Sequence, residues 1–590
     1  MKSLSIIALT CLAAVHAANV EFKVLVPDAT ESVEVSINGA NFPLARIDQD
    51  LPLFVGSADL PEGQTYNYVS DGVPESFTRT HSAGDSTYNE LFGRPISYAD
   101  IPEIPKVLSE GAWDRAFMDH ELWDNNYIHS VFVTADPDEM ENLITNVPKT
   151  VYNAKISFVG PREVTTFEDC AFGLHRPGRR NNDAKQSWVW ALPEGQFYAK
   201  RNWFKARHQE EDPTQLREKL YADISRSMGT YAGAANMIRI YINNESVGTF
   251  NVLDDVSKYS YIRAMFYNGT APGEMGGLFD GMTGSSFVYD KSGDAFNNFL
   301  VNADSPVGAE AMEPFTRQFD GVDMSDPAEV EAISSYFDVD QYIRFMVMEF
   351  LTGNWDGYWQ EQSNDGAYLD PFDNNKLYYL AQDFDATFGV NLPFGKDFAE
   401  ISYTEFPDKF PGAILINRLL ENPKMKATFE DYLKVTVSDI FNLEVLGPIV
   451  QARHEFYSTD LEWDRSIEQR SPGNLFGWTF DQTGQNLVEG VKAHGDRSGG
   501  ASWGLLEWID TKSKAVQAEF GITVNNRLNT TRYGHLNKFK NLDDHLTAAS
   551  LKNPYTGEST NNINVESSAR KELPQIISAM AIVAVLSAFF

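Results

Sequence analysis

Apolar and polar residues alternate near the start of the chain. Val20-Glu-Phe-Lys-Val-Leu-Val26 and Ser32-Val-Glu-Val-Ser-Ile37 put every second side chain on one face, the period of a half-buried strand, and Asn38-Gly39 follows as a turn. This predicts a β-sandwich-like module over 18–110. Farther on the period lengthens. Asp212 and Pro213 read as a cap and first-turn proline, Leu216, Leu220, Ile224 and Met228 recur at helical spacing, and Gly229 stops the run. Met237 to Ile242 and Val247 to Leu253 flank Asn243-Asn244 and predict a hairpin. From Asp340 a segment is apolar nearly all round, which predicts a buried helix ending at Gly353. Leu377 to Ala381 reads as a strand. From 120 to 525 strands and helices mix without repeats, so the predicted class is α+β.

The two ends predict a secretory route. Lys2 precedes an apolar run from Leu4 to Val15, and Val15-His-Ala17 reads as a cleavage site, giving a signal peptide over 1–17. Residues 526–567 are polar and read as a stalk. Ser567 and Ser568 then precede an apolar tail, an order that predicts a GPI-anchor signal over 568–590, so contact with membrane is expected through a lipid anchor only. A plain transmembrane segment is the alternative. Removal of Cys11 with the signal peptide leaves Cys170 alone, so no internal disulfide forms. Asn244, Asn268 and Asn529 begin glycosylation triplets.

The 590 residues are 43% hydrophobic and 22% charged, the balance of globular material with ample core. Lys and Arg number 48 against 83 Asp and Glu, a net charge of −35. Such a chain repels phosphate backbones, so no nucleic-acid partner is expected. Paired histidines at zinc-binding spacing are absent. Gly389 to Lys396 lacks the spacing of a phosphate loop. Gly500-Ala-Ser-Trp-Gly504 fits a nucleophile-elbow pattern but is preceded by loop sequence rather than a strand.

Two acidic clusters remain. One is Gly353-Asn-Trp-Asp356-Gly357, followed by Asn364; the other is Gln382-Asp383-Phe-Asp385-Ala-Thr-Phe-Gly389 at a strand end. In extended chain Asp383 and Asp385 point to one side. Acids so placed hold a divalent cation through oxygen ligands, as phosphoryl transfer requires. A solvated acidic loop is the bland alternative.

The pieces from about 170 to 390 together resemble the CotH kinase family, spore-coat-type atypical protein kinases. They are Arg176-Pro-Gly-Arg-Arg-Asn181, Lys185-Gln-Ser-Trp188, Asp212-Pro-Thr-Gln-Leu-Arg-Glu218, Ser225-Arg-Ser-Met-Gly229, Ile240-Tyr-Ile-Asn243 and the two acidic motifs. With the signal peptide and tail they further resemble the fungal, mucoralean branch, whose members act as cell-surface invasins. The resemblance implies an atypical protein-kinase-like domain over 120–525 that binds ATP with Mg²⁺ or Mn²⁺ and phosphorylates Ser/Thr of secreted or coat proteins. It implies Asp356 as catalytic base. Asp383, Asp385 and Asn364 would serve the metal. Lys185 would be the phosphate lysine, with Glu218 as helix partner, and Asp254 would stand near the nucleotide hinge, where the family has Glu. Lys200 and Lys205 compete for the phosphate role. A catalytically dead pseudokinase acting as an adhesin stays open, as does a carbohydrate-active surface protein, suggested by 13% aromatic residues.

The invasin branch also implies a host cell-surface receptor, of chaperone or integrin class, engaged by residues 362–376. That segment is rich in Asn, Asp, Gly and Pro and reads as a loop with Tyr368 and Phe372 as anchors.

Overall fold

Eight strands occupy residues 19–91 and hydrogen-bond in one connected sheet. Asn19–Leu25 runs antiparallel to Leu53–Asp59 and parallel to Ser86–Leu91. The alternation seen in the sequence sets its faces: Val20, Phe22 and Val24 are buried while Glu21 and Lys23 are partly exposed. The computed structural model describes residues 19–525 apart from 30, 62, 82–83, 176–183 and 496–499. The predicted signal peptide, stalk and anchor tail, with Asn529, Ser567, Ser568 and the 176–181 motif, lie outside the described residues.

The next seven strands form a closed barrel in the order Tyr152–Val159, Val164–Leu174, Trp188–Ala191, Trp203–Arg207, Glu245–Leu253, Ala235–Ile242, His129–Thr134. Its interior is aromatic and aliphatic, with Phe158, Trp190, Phe204 and Ile238 buried. The predicted hairpin is present. Asn243 and Asn244 take φ of 51° and 66°, the paired left-handed geometry of a two-residue turn that asparagine tolerates.

The helix predicted from Pro213 begins later, over Arg217–Ser227. Gln215 adopts a left-handed φ of 55° and interrupts the helical path. Asp212 still acts on the helix start: its carboxylate accepts from the backbone N–H of Leu216 at 2.9 Å and of Arg217 at 2.8 Å. The buried helix is found over Val339–Thr352, where Asp338 caps the start by accepting from Gln341 N–H. Gly353 ends it at φ 59°, and a Cβ there would stand 2.5 Å from the Trp508 ring. Only glycine meets both the conformation and the contact.

A four-stranded sheet beside this helix runs Phe299–Val301, Leu278–Gly281, Asp365–Asp370, Lys376–Ala381. It corrects the reading of 362–376 as one loop. Asp365–Asp370 is a strand bonded on both sides, and all six residues are buried. Cross-strand partners supply what the local composition does not advertise. The whole is a mixed α+β architecture. Its aromatics are largely core: Trp190, Trp359 and Trp508 are among the largest fully buried side chains. The long helix Leu443–Ser466 ties the parts together. Its Asp460 accepts from Arg94, beyond the first sheet, and from Arg239 in the barrel, each at 2.7 Å.

Candidate active site

Two elements bring three carboxylates to one point. The Arg217–Ser227 helix supplies Glu218, and the turn after the Lys376–Ala381 strand supplies Asp383 and Asp385. One oxygen of each lies within 4.8 Å of the others. Asp383 has a left-handed φ of 62°, uncommon outside glycine although aspartate adopts it more readily than most residues. The next amide, Phe384 N–H, donates to Glu218 Oε2 at 2.7 Å, and the Phe384 ring stacks on Tyr221 at 3.9 Å. The strained turn is thus held by the helix that carries its partner acid, the kind of over-determined strain found at functional sites.

The adjoining barrel strand Trp203–Arg207 brings positive charge. Arg207 reaches both aspartates, at 3.4 Å to Asp383 and 3.2 Å to Asp385. Burial works against its charge, yet the two aspartates hold its pKa well above the ordinary range. Lys205 lies two residues earlier, on the same face, and is buried. Glu218 is pushed up to about 8, first by burial and then by Asp385 and Asp383, with Lys205 and Arg207 acting the other way. Asp385 is pushed up to about 6 by burial and Asp383, against Arg207. Crowded carboxylates disfavour being ionised together. Hard oxygen donors converging in this way fit a divalent cation, whose charge would reverse that penalty.

The second acidic motif faces this cluster. Asp356 follows the end of the buried helix. Its carboxylate accepts from Asn364 Nδ2 at 2.8 Å, and the same Nδ2 donates to the Asp356 carbonyl at 2.9 Å. Burial and the charge of Asp383 raise its pKa to about 7. Asn364 therefore directs its amide N–H to Asp356. Glu349, unnoticed in the sequence, fixes the segment from beneath. Its backbone carbonyl accepts from Asn354 N–H at 3.1 Å. Its carboxylate accepts from Tyr358 N–H at 3.2 Å, Trp359 N–H at 2.7 Å and the Tyr379 hydroxyl at 3.1 Å. One side chain thus links the Asp356 segment to the strand that delivers Asp383.

Other residues singled out from the sequence lie elsewhere. Lys185 does not meet Glu218: its buried Nζ donates to Asp464 at 2.5 Å and to the Thr249 carbonyl at 2.8 Å. Asp254 is held in a buried two-point pair with Arg201, both bonds 3.0 Å. Lys200 lines a separate surface cavity with Gly269 and Thr270. That leaves Lys205 as the lysine whose charge acts on Glu218. Arg207 belongs to none of the sequence motifs. The alternation of Lys205 and Arg207 in a short strand was the available signal, but nothing local ties it to acids about 180 residues downstream. Tyr368 is fully buried, and its hydroxyl lies 2.6 Å from that of Tyr267. It offers no surface to a receptor. Phe372, in the short turn Pro371–Asp373, is 46% exposed. Asn244 sits in the hairpin turn and Asn268 is exposed after the Tyr259–Phe266 helix.

The family model described as CotH kinase protein matches residues 181–489. Invasin CotH7 of Rhizopus delemar is 62% identical over 504 residues, covering 85% of this chain and 84% of the relative. Spore coat protein homolog 1 of the same fungus is 59% identical over 519 residues, 88% of this chain and 85% of the relative. Invasin CotH3, also from Rhizopus delemar, is 46% identical over 529 residues, 88% of each chain. The matched span contains both acidic motifs, Glu218 and Arg207, and the chain belongs to the CotH kinase protein family.

Proposed function

We propose that this protein is a cell- or spore-surface Ser/Thr phosphotransferase of the CotH family that also acts as a host-cell-binding invasin. The observation that carries the catalytic reading is the convergence of Glu218, Asp383 and Asp385 within 4.8 Å, beside Lys205 and Arg207 and facing Asp356. Asp383 and Asp385, with Glu218 behind them, would hold Mg²⁺ or Mn²⁺. Such a cation would offset the charge of the ATP phosphates and orient the transferred group. Lys205 and Arg207 would steady phosphate oxygens. Asp356, with a pKa near neutrality, is suited to take the proton of an acceptor Ser or Thr hydroxyl. Asn364 keeps that carboxylate in one orientation.

The relatives' names, invasin and spore coat protein, support display at a surface and the host-binding role. Secretion, glycosylation and a GPI anchor belong to the same reading. For receptor contact, Phe372 remains the exposed side chain of the segment first assigned to it. The adhesin-only reading is favoured by one feature: Arg207 already supplies an internal counter-charge to Asp383 and Asp385.

Phosphotransfer by the purified protein to a Ser/Thr-rich protein, followed by labelled phosphate, separates the two. Transfer by wild type that falls by on the order of 10²-fold or more in the Asp356→Asn variant supports the kinase reading. No transfer to any acceptor, with host-cell adhesion intact, leaves the adhesin.

A further inference from the structure

On the side of the barrel bearing the Trp203–Arg207 strand's approach lies a cavity of about 340 Å³, lined by Phe117, His120, Phe197, Ala199, Lys200, Gly269 and Thr270. Its rim includes two of the three residues of the triplet Asn268-Gly-Thr270. Asn268 itself directly precedes these two rim residues in the chain. Asn268 is exposed and left-handed at φ 49°, and the turn around it is fixed by Gly269 N–H to the Arg263 carbonyl and Thr270 N–H to the Tyr267 carbonyl, both 2.9 Å.

The walls suit a sugar. Phe197 is 43% exposed, with the Arg263 guanidinium 5.2 Å from its ring centroid. Lys200 lies along Gly269 and extends its ammonium toward the Phe117 ring, 5.8 Å away. An aromatic face with donors at its edge matches a pyranose, which presents C–H groups on one side and hydroxyl and amide acceptors around its rim. The turn beneath is strained: Ala199 and Lys200 both have positive φ, 51° and 61°, where a two-residue turn favours Asn or Gly. The volume is at the small end of ligand sites, about 300–1,000 Å³, which admits one or two sugar units.

The other described triplet has a different setting. Asn244 occupies the tight hairpin turn, its Oδ1 is buried without a hydrogen-bond partner, and Glu245 and Ser246 belong to the following strand.

We propose that Asn268 carries an N-linked glycan whose first sugar packs against Phe197 and Lys200, so that the glycan is a structural part of the barrel surface. The donor is a lipid-linked oligosaccharide pyrophosphate. Asn268 Nδ2 forms a bond to the anomeric carbon of its reducing-end sugar. The bond from that carbon to the pyrophosphate oxygen breaks, the lipid pyrophosphate leaves with the electron pair, and the amide gives up one proton.

The test uses the full chain secreted from a fungal host. Peptide mass spectrometry should find hexosamine on Asn268, absent in Thr270→Ala, which keeps the asparagine. Trimming the glycan to one sugar should leave Tm unchanged, whereas Asn268→Gln should lower it by a few degrees. Phe197→Ala should keep full occupancy and erase the Tm difference made by the glycan. Unmodified Asn268 in the secreted protein overturns the proposal. So does a modified Asn268 whose Tm contribution is nil or unchanged by Phe197→Ala, since the glycan would then stand free of the cavity. None of these readouts depends on phosphotransfer.

Discussion

Asp356 shows how one side chain's setting decides its chemistry. An exposed aspartate is too weak a base to accept a hydroxyl proton near neutrality. Burial beside Asp383 raises this one to about 7, while Asn364 keeps it oriented. Phosphotransfer should therefore rise with pH and level off, because the base works deprotonated. Its midpoint should lie below the value of about 7 of the metal-free site, since a cation on Asp383 removes part of the cause. Asp356→Asn should lower turnover by on the order of 10²–10⁴-fold and leave nucleotide affinity nearly intact. The same shift acts on stability. The folded-state pKa lies above the unfolded value, so the contribution is present at low pH and is lost as pH rises through about 7. The Asn variant should then gain relative to wild type above that pH, by about 1–3 kcal/mol after allowance for solvent screening. Calorimetric Tm at pH 5 and 8 reads this, and a loss of stability at pH 8 would contradict it.

Among the elements, those with a local signature were legible in the sequence. The Asn243-Asn244 hairpin and the buried helix announced themselves through turn residues, all-round apolarity and a glycine stop. Elements whose identity rests on distant partners were not. Asp365–Asp370 looks like loop but is a central strand because Leu278–Gly281 and Lys376–Ala381 flank it. Lys185 looks like a phosphate lysine but pairs with Asp464, 279 residues away. The two acidic motifs of the site were readable, being contiguous. The link from Lys205 and Arg207 to Glu218 was not, because only barrel closure makes it. The Leu505–Phe520 helix carries its own test. Lys512 is fully buried, its Nζ 4.1 Å from the Phe350 ring centroid, and burial lowers its pKa to about 7. Its folded pKa lies below the unfolded one. Stability is thus complete above about 10.5 and is lost as pH falls through about 7. Lys512→Met should raise Tm at pH 6 and have a much smaller effect at pH 10; an equal effect at both would show that the lysine keeps its charge throughout.

Across the whole molecule, the Leu443–Ser466 helix joins the first sheet's flank to the barrel through buried charge. Asp460 takes two bonds from Arg239 and one from Arg94, and Asp464 takes Lys185. Burial alone would raise the Asp460 pKa, but the two arginines hold it below the usual carboxylate range. Asp460→Ala strands two guanidinium groups and should cost about 3–5 kcal/mol. Hydrogen exchange should then report loosening at the barrel edge near Arg239 and around Arg94 together, and loosening confined to either one would break the coupling. Much the same dependence on distant partners holds at the site, where a barrel strand, a helix and a strand-end turn each supply part of one charge cluster. Calorimetric titration of the purified wild type and Asp383→Asn with ATP, with and without Mg²⁺ or Mn²⁺, tests that assembly most directly. Saturable, cation-dependent binding by the wild type, weakened at least tenfold in Asp383→Asn, is the predicted result. Binding that ignores the cation or survives the substitution would contradict the assignment of Glu218, Asp383 and Asp385 as a metal–nucleotide site.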